Sequence, residues 1–313
     1  MTRNNQVCLT GASGFIGSQL SPFLNQNLID GFHWERSDPL NFNQSSVLIH
    51  LAGRAHQMKD TSRNPLQNFR EVNRDLTVSL AQQAMKTKLK KFVFISTVKV
   101  IGEKPGSYNL KSPCFPKEPY GISKWEAEQE LGKLFSNQTK TQCIILRLPM
   151  VYGENNKGNM LPLLKAASKK MPLPLSAAKG KRSMIYVGNI LSAINTIIKN
   201  DPPHRKPIQT YFLNDGYDLT GAELYSLIYQ SMHDKSGLFY FPELLFRLSG
   251  YIGSRLEHFS KRKFPISKDV ISRLFDEYRF SSKAFYKDYA WRPPFTPAEG
   301  IKNTVKWYLG SRG

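Results

Sequence analysis

Short apolar runs that alternate with helix-patterned stretches of about ten to fifteen residues leave this chain few ways to fold. Residues 6–10 read QVCLT, 47–53 VLIHLAG, 92–97 FVFIST and 143–148 CIILRL, and a shorter β-prone run spans Phe32 to Glu35. Between them lie helical patterns through Leu20, Phe23 and Leu24, from Val72 to Met85, and from Gly121 to Leu134. Continuous apolar runs suit strands buried on both faces, and parallel strands need crossover connections, so the alternation predicts a doubly wound parallel α/β sheet.

Beyond about residue 155 prolines at 162, 172, 174, 202, 203 and 207 break the pattern into shorter pieces. The helical stretch 187–199 and the run YFLN at 211–214 are expected to return to the main sheet. The organisation expected is therefore discontinuous. Residues 1–156 and 183–214 form the nucleotide-binding part, and 157–182 and 215–313 form a smaller C-terminal substrate-binding region. No internal repeat or low-complexity segment is visible.

With 313 residues, 40% hydrophobic and 22% charged, the chain has room for a large core and none of the bias of a disordered, fibrous or disulfide-built protein. Cys8, Cys114 and Cys143 show no metal-type spacing and read as small buried hydrophobes. No apolar stretch is long enough for a membrane span and no apolar leader opens the chain, so a cytoplasmic protein without an integral membrane segment is expected. Lysine and arginine total 44 against 24 acidic residues, a net charge of +20. The excess is dispersed, its densest cluster being Lys261-Arg262-Lys263, and no nucleic-acid motif accompanies it. A generally basic surface, and no nucleic-acid partner, is the expectation.

The string Thr10-Gly11-Ala12-Ser13-Gly14-Phe15-Ile16-Gly17 follows a strand and opens a helix, the setting a dinucleotide site needs. Gly11 permits the tight turn, Gly14 lets backbone approach a pyrophosphate, and Gly17 allows close helix–strand packing. The helix N-terminus offers N–H groups and partial positive charge to the diphosphate. Glu35 stands where an acid would hold the adenosine ribose, whereas Arg36 beside it would suit a 2′-phosphate, so NAD and NADP both remain open.

In Tyr120-Gly121-Ile122-Ser123-Lys124 the tyrosine and lysine are four apart, on one helical face. A phenol near pKa 10 is a poor base at neutral pH, and a neighbouring ammonium favours the phenolate. Thr97 ends the strand 92–97 at the sheet edge where doubly wound folds bind ligands, so its hydroxyl is placed to orient a substrate oxygen towards Tyr120. Together these suit proton transfer during alcohol–ketone interconversion.

At this point the chain resembles the extended short-chain dehydrogenase/reductases, which include nucleotide-sugar epimerases, dehydratases and 4-keto reductases built on the Rossmann fold. TGASGFIG matches the family's T-G-x-x-G-F-x-G, HLAG at 50–53 its strand end beside the cofactor, and Asn73 in EVNRDLT its V-N-x-x-G-T element. RLPMVYG at 147–153, KGNM at 157–160 and KRSMIYV at 181–187 match three further segments. The resemblance implies NAD or NADP as cofactor, with contacts from the turn residues Gly11, Ser13, Gly14, Phe15, Ile16 and Gly17. Glu35, Arg36, Leu51, Ala52, Gly53, Asn73 and Pro149 complete the implied cofactor set. Tyr120 is then the acid/base, Lys124 lowers its pKa and grips the nicotinamide ribose, and Thr97 steers the substrate hydroxyl. His56, Thr97, Asn159 and Arg182 are implied to meet a UDP-sugar, with a homodimer as an open expectation.

Departures narrow the reading. Met150 replaces the asparagine of R-x-x-N, Leu76 replaces the glycine of V-N-x-x-G-T, and little chain separates the second strand from VLIHLAG for the usual third strand. Where the 4,6-dehydratases carry Thr-Asp-Glu this chain has Thr97-Val98-Lys99, so elimination of water lacks its acid–base pair. HLAGRAHQM, STVKVIGE and MPLPL are most similar to bacterial enzymes acting on UDP-sugars for surface polysaccharides. The expectation is 4-epimerisation; the alternatives are 4-keto-6-deoxy-sugar reduction and a non-catalytic NAD(P)-binding regulator.

Overall fold

The computed structural model describes residues 6–27, 29, 31–34, 45–54, 64–137, 140–156, 158, 160–260 and 268–311. The first half runs β1 (Val7–Thr10), α1 (Gly17–Gln26), β2 (Gly31–Trp34), β3 (Val47–His50), α2 (Pro65–Arg70), α3 (Leu76–Met85), β4 (Lys91–Thr97), β5 (Gly106–Tyr108) and α4 (Pro119–Phe135). It continues with β6 (Gln142–Leu148), β7 (Met150–Tyr152), α5 (Met160–Ser168), β8 (Lys181–Arg182), β9 (Met184–Tyr186), α6 (Val187–Lys199) and β10 (Ile208–Phe212). The remainder is β11 (Leu219–Thr220), α7 (Gly221–His233), α8 (Glu243–Ser260), α9 (Lys268–Phe275), β12 (Tyr278–Phe280), α10 (Lys283–Asp288) and α11 (Pro297–Gly310).

Six parallel strands form the central sheet in the order β10-β6-β4-β3-β1-β2. Because strand side chains alternate faces, one set and its complement build two different cores. Leu9, Ile49, Val93, Ile95, Ile144 and Leu146 meet Leu20 and Leu24 of α1 and Ile190, Ile194 and Ile197 of α6. Cys8, Leu48, Phe92, Phe94, Cys143 and Ile145 meet Leu80 and Ala84 of α3 and Ala127, Leu131 and Phe135 of α4. The sheet is thus doubly wound, as the alternation predicts.

From β1 the chain passes outward to β2 and then crosses back to lay β3 on the other side of β1. The C-terminal ends of β1 and β3 therefore border a topological switch point, where doubly wound sheets open a crevice. Among the described residues β2 closes its edge of the sheet, in keeping with the short link to β3. β10 joins the far edge beside β6 and begins at Ile208, slightly earlier than the run at 211–214 suggests.

A second sheet, β11-β8-β12-β5, carries Arg182. One of its strands, β5, comes from within residues 1–156, the range expected for the nucleotide-binding part, and pairs in parallel with β12 near the C-terminus. The two parts are consequently more interlaced than a boundary at residue 156 implies. Cys8 and Cys143 are buried free thiols, Cys114 is half-buried, and burial pushes all three above the usual thiol range. Among the described residues no helix is long and apolar enough to cross a membrane.

Candidate active site

The glycine turn follows β1 at the switch point. Gly11 takes φ +73°, a conformation that favours glycine, and a Cβ there would meet the Ala52 backbone nitrogen at 2.6 Å. A Cβ on Gly17 would stand 2.2 Å from the Gly11 carbonyl oxygen, so the helix begins as close to the turn as backbone allows. Gly14 is exposed, leaving its backbone open to approach. Ser13 is exposed as well, while Ile16 packs against the core under α1 and α6 and Phe15 against a separate cluster that includes Tyr152, Tyr186 and Tyr225. Helix α1 has no side-chain cap at Ile16 and no acid in its first turn, so its positive end is uncompensated locally. The turn, the helix end and the bare loop 51–53 fit a dinucleotide diphosphate.

Thr97, Tyr120 and Lys124 come together at the end of β4. Pro119 opens α4 with its φ preset for a helix, after Glu118 in extended conformation, which brings Tyr120 into the first turn. The Thr97 hydroxyl stands by the Tyr120 phenol and favours its ionised form, and it accepts from the Lys99 N–H at 3.3 Å, capping the single 3₁₀ turn Val98–Ile101. One turn on, the Lys124 ammonium donates to the Ile95 carbonyl at 2.9 Å and lies 4.4 Å from the Phe94 ring centroid. A Cβ on Gly53 would come within 3.3 Å of that nitrogen, so a bare glycine keeps the loop close to it.

Burial dominates the electrostatics. Protein packed around the half-buried Tyr120 pushes its phenol up to about 12, opposed by the Thr97 hydroxyl. Burial pushes Lys124 down to about 7, with the Glu128 carboxylate holding it up. Burial and Thr97 together set the Tyr120 phenol here. The ammonium is itself weakened near neutrality, and it is turned onto Ile95 and Phe94.

Asn73 lies fully buried in a π-turn, Glu71–Asp75, between α2 and α3. Its side-chain oxygen accepts from the Arg54 N–H at 2.9 Å, while its amide donates to the Arg54 carbonyl at 3.1 Å and to Ser123 Oγ at 3.0 Å. It thus fastens the loop after β3 to α4, one residue from Lys124. His50 bridges Thr10 and Thr77 through its two ring nitrogens at 2.7 and 2.8 Å. Burial, with the Lys124 charge, pushes His50 down to about 3.

Two groups were not singled out from sequence. Glu128, four residues beyond Lys124, pairs with Arg147 of β6 at 2.6 Å, both side chains nearly sealed from water, and accepts from Ser96 Oγ at 2.5 Å. Its spacing from Lys124 was the available signal. Tyr278 of β12 is the other. The Arg182 guanidinium stands 5.0 Å from its ring centroid, and its hydroxyl donates to the carbonyl of Gly102 just past Thr97. Arg182 is thereby tied to the turn after β4 through one aromatic ring. Pro149 is buried between β6 and β7, and Leu51 and Ala52 are half-buried in the loop after β3. Glu35, Arg36, His56 and Asn159 lie outside the described residues.

A doubly wound sheet with a glycine turn and a Thr–Tyr–Lys cluster at its switch-point edge defines a nicotinamide-dinucleotide enzyme. Residues 7–209 match the NAD dependent epimerase/dehydratase family, and the chain belongs to it. A Vibrio cholerae protein named UDP-glucose 4-epimerase is 30% identical across 97% of this chain and 95% of its own length. At 27% identity over the same shares stands a protein of Escherichia coli O157:H7 named N-acetyl-alpha-D-glucosaminyl-diphospho-ditrans,octacis-undecaprenol 4-epimerase. The crystal structure of UDP-glucuronic acid 4-epimerase from Bacillus cereus in complex with NAD superposes with a TM-score of 0.72 over 96% of both chains, at 17% identity. That likeness speaks for the fold.

Proposed function

We propose that this enzyme is a UDP-sugar 4-epimerase, moving a hydride off and back onto carbon 4 of the hexose. The observation that carries the reading is the placing of Thr97 beside the Tyr120 phenol at the end of β4, with the Lys124 ammonium one helical turn away. The names of the two curated relatives support it. Bound nicotinamide supplies the hydride acceptor and a positive ring that favours the phenolate.

Thr97 orients the sugar hydroxyl, Tyr120 takes its proton as the ketone forms, and Tyr120 returns the proton as the alcohol re-forms. Lys124 holds the cofactor ribose and adds positive charge beside the phenolate. Asn73 and Gly53 hold the loop 51–54 against that lysine. Arg182, propped on Tyr278, pairs with the UDP diphosphate through its planar fork of donors. Dehydration is disfavoured because a buried apolar Val98 and then Lys99, paired with Glu103 and Glu118 at 2.6 and 3.3 Å, follow Thr97 where an acid–base pair would be needed.

The test is incubation of the NAD-loaded enzyme with UDP-galactose and UDP-N-acetylgalactosamine, with no added reductant. The expected product is the C4 epimer of one of them. No conversion there, together with NAD(P)H consumption on a UDP-4-keto-6-deoxy sugar, would make it a 4-keto reductase. Inertness in both assays would leave a cofactor-binding regulator.

A further inference from the structure

Over its described residues helix α8 rests on the body by the side that carries Phe246 and Gly250. Phe246 is buried 5.6 Å from the Phe275 ring and 4.8 Å from that of Phe241, and Gly250 is buried one turn on. The opposite side is apolar and open to water. Leu244, Leu248, Tyr251 and Ile252 are 69%, 52%, 56% and 59% exposed, a stripe at i, i+4, i+7 and i+8. Tyr240, 73% exposed, lies just before the helix and extends it. Single exposed apolar residues are ordinary, whereas a continuous stripe marks a surface that something covers.

Charge decides what covers it. The chain carries a net charge of +20, and along the described part of α8 Glu243 and Arg247 pair with each other at 2.7 Å. Arg255 lies beside the stripe, stacked 5.4 Å from the Tyr251 ring and bonded to its hydroxyl at 3.1 Å. A second copy would bring like charge to like across this face. A bilayer with anionic headgroups offers opposite charge and apolar depth together, the environment an amphipathic helix takes when it lies in the interface. The helix is not apolar enough to cross a membrane.

We propose that the outer face of α8 docks this enzyme onto an anionic membrane surface. Leu244, Leu248 and Ile252 enter the headgroup–acyl boundary, and Tyr251 and Arg255 lie at headgroup level. The docked helix is coupled to the substrate side through the end of α9. The Gly180 N–H donates to the Leu274 carbonyl at 3.2 Å, and a Cβ on Gly180 would meet the Phe275 carbonyl carbon at 2.6 Å, two residues before Arg182. This inference does not depend on the sugar specificity proposed above.

The experiment is sedimentation of the full-length enzyme with vesicles of phosphatidylcholine alone and of phosphatidylcholine with phosphatidylglycerol. Expected is binding at least about tenfold tighter to the anionic vesicles, weakening as salt is raised. The double variant Leu248→Glu, Ile252→Glu is expected to lose at least about tenfold of that binding. In case that variant folds poorly, hydrogen exchange on the parent protein reads the same face: anionic vesicles should slow exchange in residues 244–255. Three outcomes overturn the proposal: equal binding to both vesicle types, variant binding like the parent's, or no protection of 244–255. A solution dimer that the variant splits would also overturn it, assigning the face to a second copy.

Discussion

Glu128 and Arg147 form an ion pair 2.6 Å long between α4 and β6, one helical turn beyond Lys124 and almost wholly out of water. Breaking such a pair leaves one charge buried without its partner, at a cost of about 3–5 kcal/mol. Glu128→Ala should show that loss in urea unfolding. Glu128→Gln keeps the shape, and because the carboxylate holds the Lys124 pKa up, its neutralisation should move the alkaline limb of kcat/KM to lower pH. An unmoved limb in a folded Glu128→Gln enzyme would make the pair structural only.

Tyr120→Phe should retain the fold and NAD binding while losing about 10²–10⁴-fold in turnover, the usual contribution of an acid–base group. Steady-state rates, alongside cofactor titration by fluorescence, decide it. A variant keeping more than about a tenth of the parent rate would exclude Tyr120 as the proton carrier.

Arg182→Ala should weaken equilibrium binding of free UDP by about 1.5–3 kcal/mol, the range for hydrogen bonds to charged groups. Tyr278→Phe keeps the ring beneath the guanidinium but removes the hydroxyl that reaches the Gly102 carbonyl. It should lower kcat with little change in UDP affinity. Calorimetric titration with UDP separates the two, and unaltered UDP binding by Arg182→Ala would move the diphosphate site elsewhere.

His50 gives a pH dependence of stability with a definite sign. Its folded pKa, about 3, lies below the ordinary 6.5, so between those values only the unfolded chain binds the proton. Stability from this residue is complete above pH 6.5 and falls as pH drops towards 3. Between pH 6.5 and 4.5 the loss should be about 2–3 kcal/mol. Urea unfolding at both pH values, on the parent and on His50→Gln, should show the smaller pH effect in the variant.

What the sequence disclosed was local. Val7–Thr10, Gly11, Gly17 and the Tyr120–Lys124 spacing are legible because strand burial, a tight turn and a shared helical face are set by neighbours in the chain. The part played by His50 was hidden because its partners, Thr10 and Thr77, lie on other elements. Glu128 was not legible because its partner, Arg147, lies on β6, nineteen residues on. Tyr278 gave no signal at all, since nothing near it in sequence announces Arg182 beneath its ring or Gly102 beyond its hydroxyl. The weakening of Lys124 by burial was likewise unreadable, because desolvation depends on what packs around a group and not on its motif.

The pairing of β5 with β12 sets a timetable for the chain as it leaves the ribosome. The two strands are separated by about 170 residues, and long-range pairings must wait for both partners. The glycine turn and the strands β1 to β4 and β6 can settle while synthesis continues. The carbonyl of Gly102, just beyond Thr97, gains its tyrosine partner only when the last few dozen residues have been made. A nascent enzyme therefore has the strands of its main sheet in hand before Arg182 gains the Tyr278 ring, and a chain that stops short of Tyr278 lacks that support for Arg182.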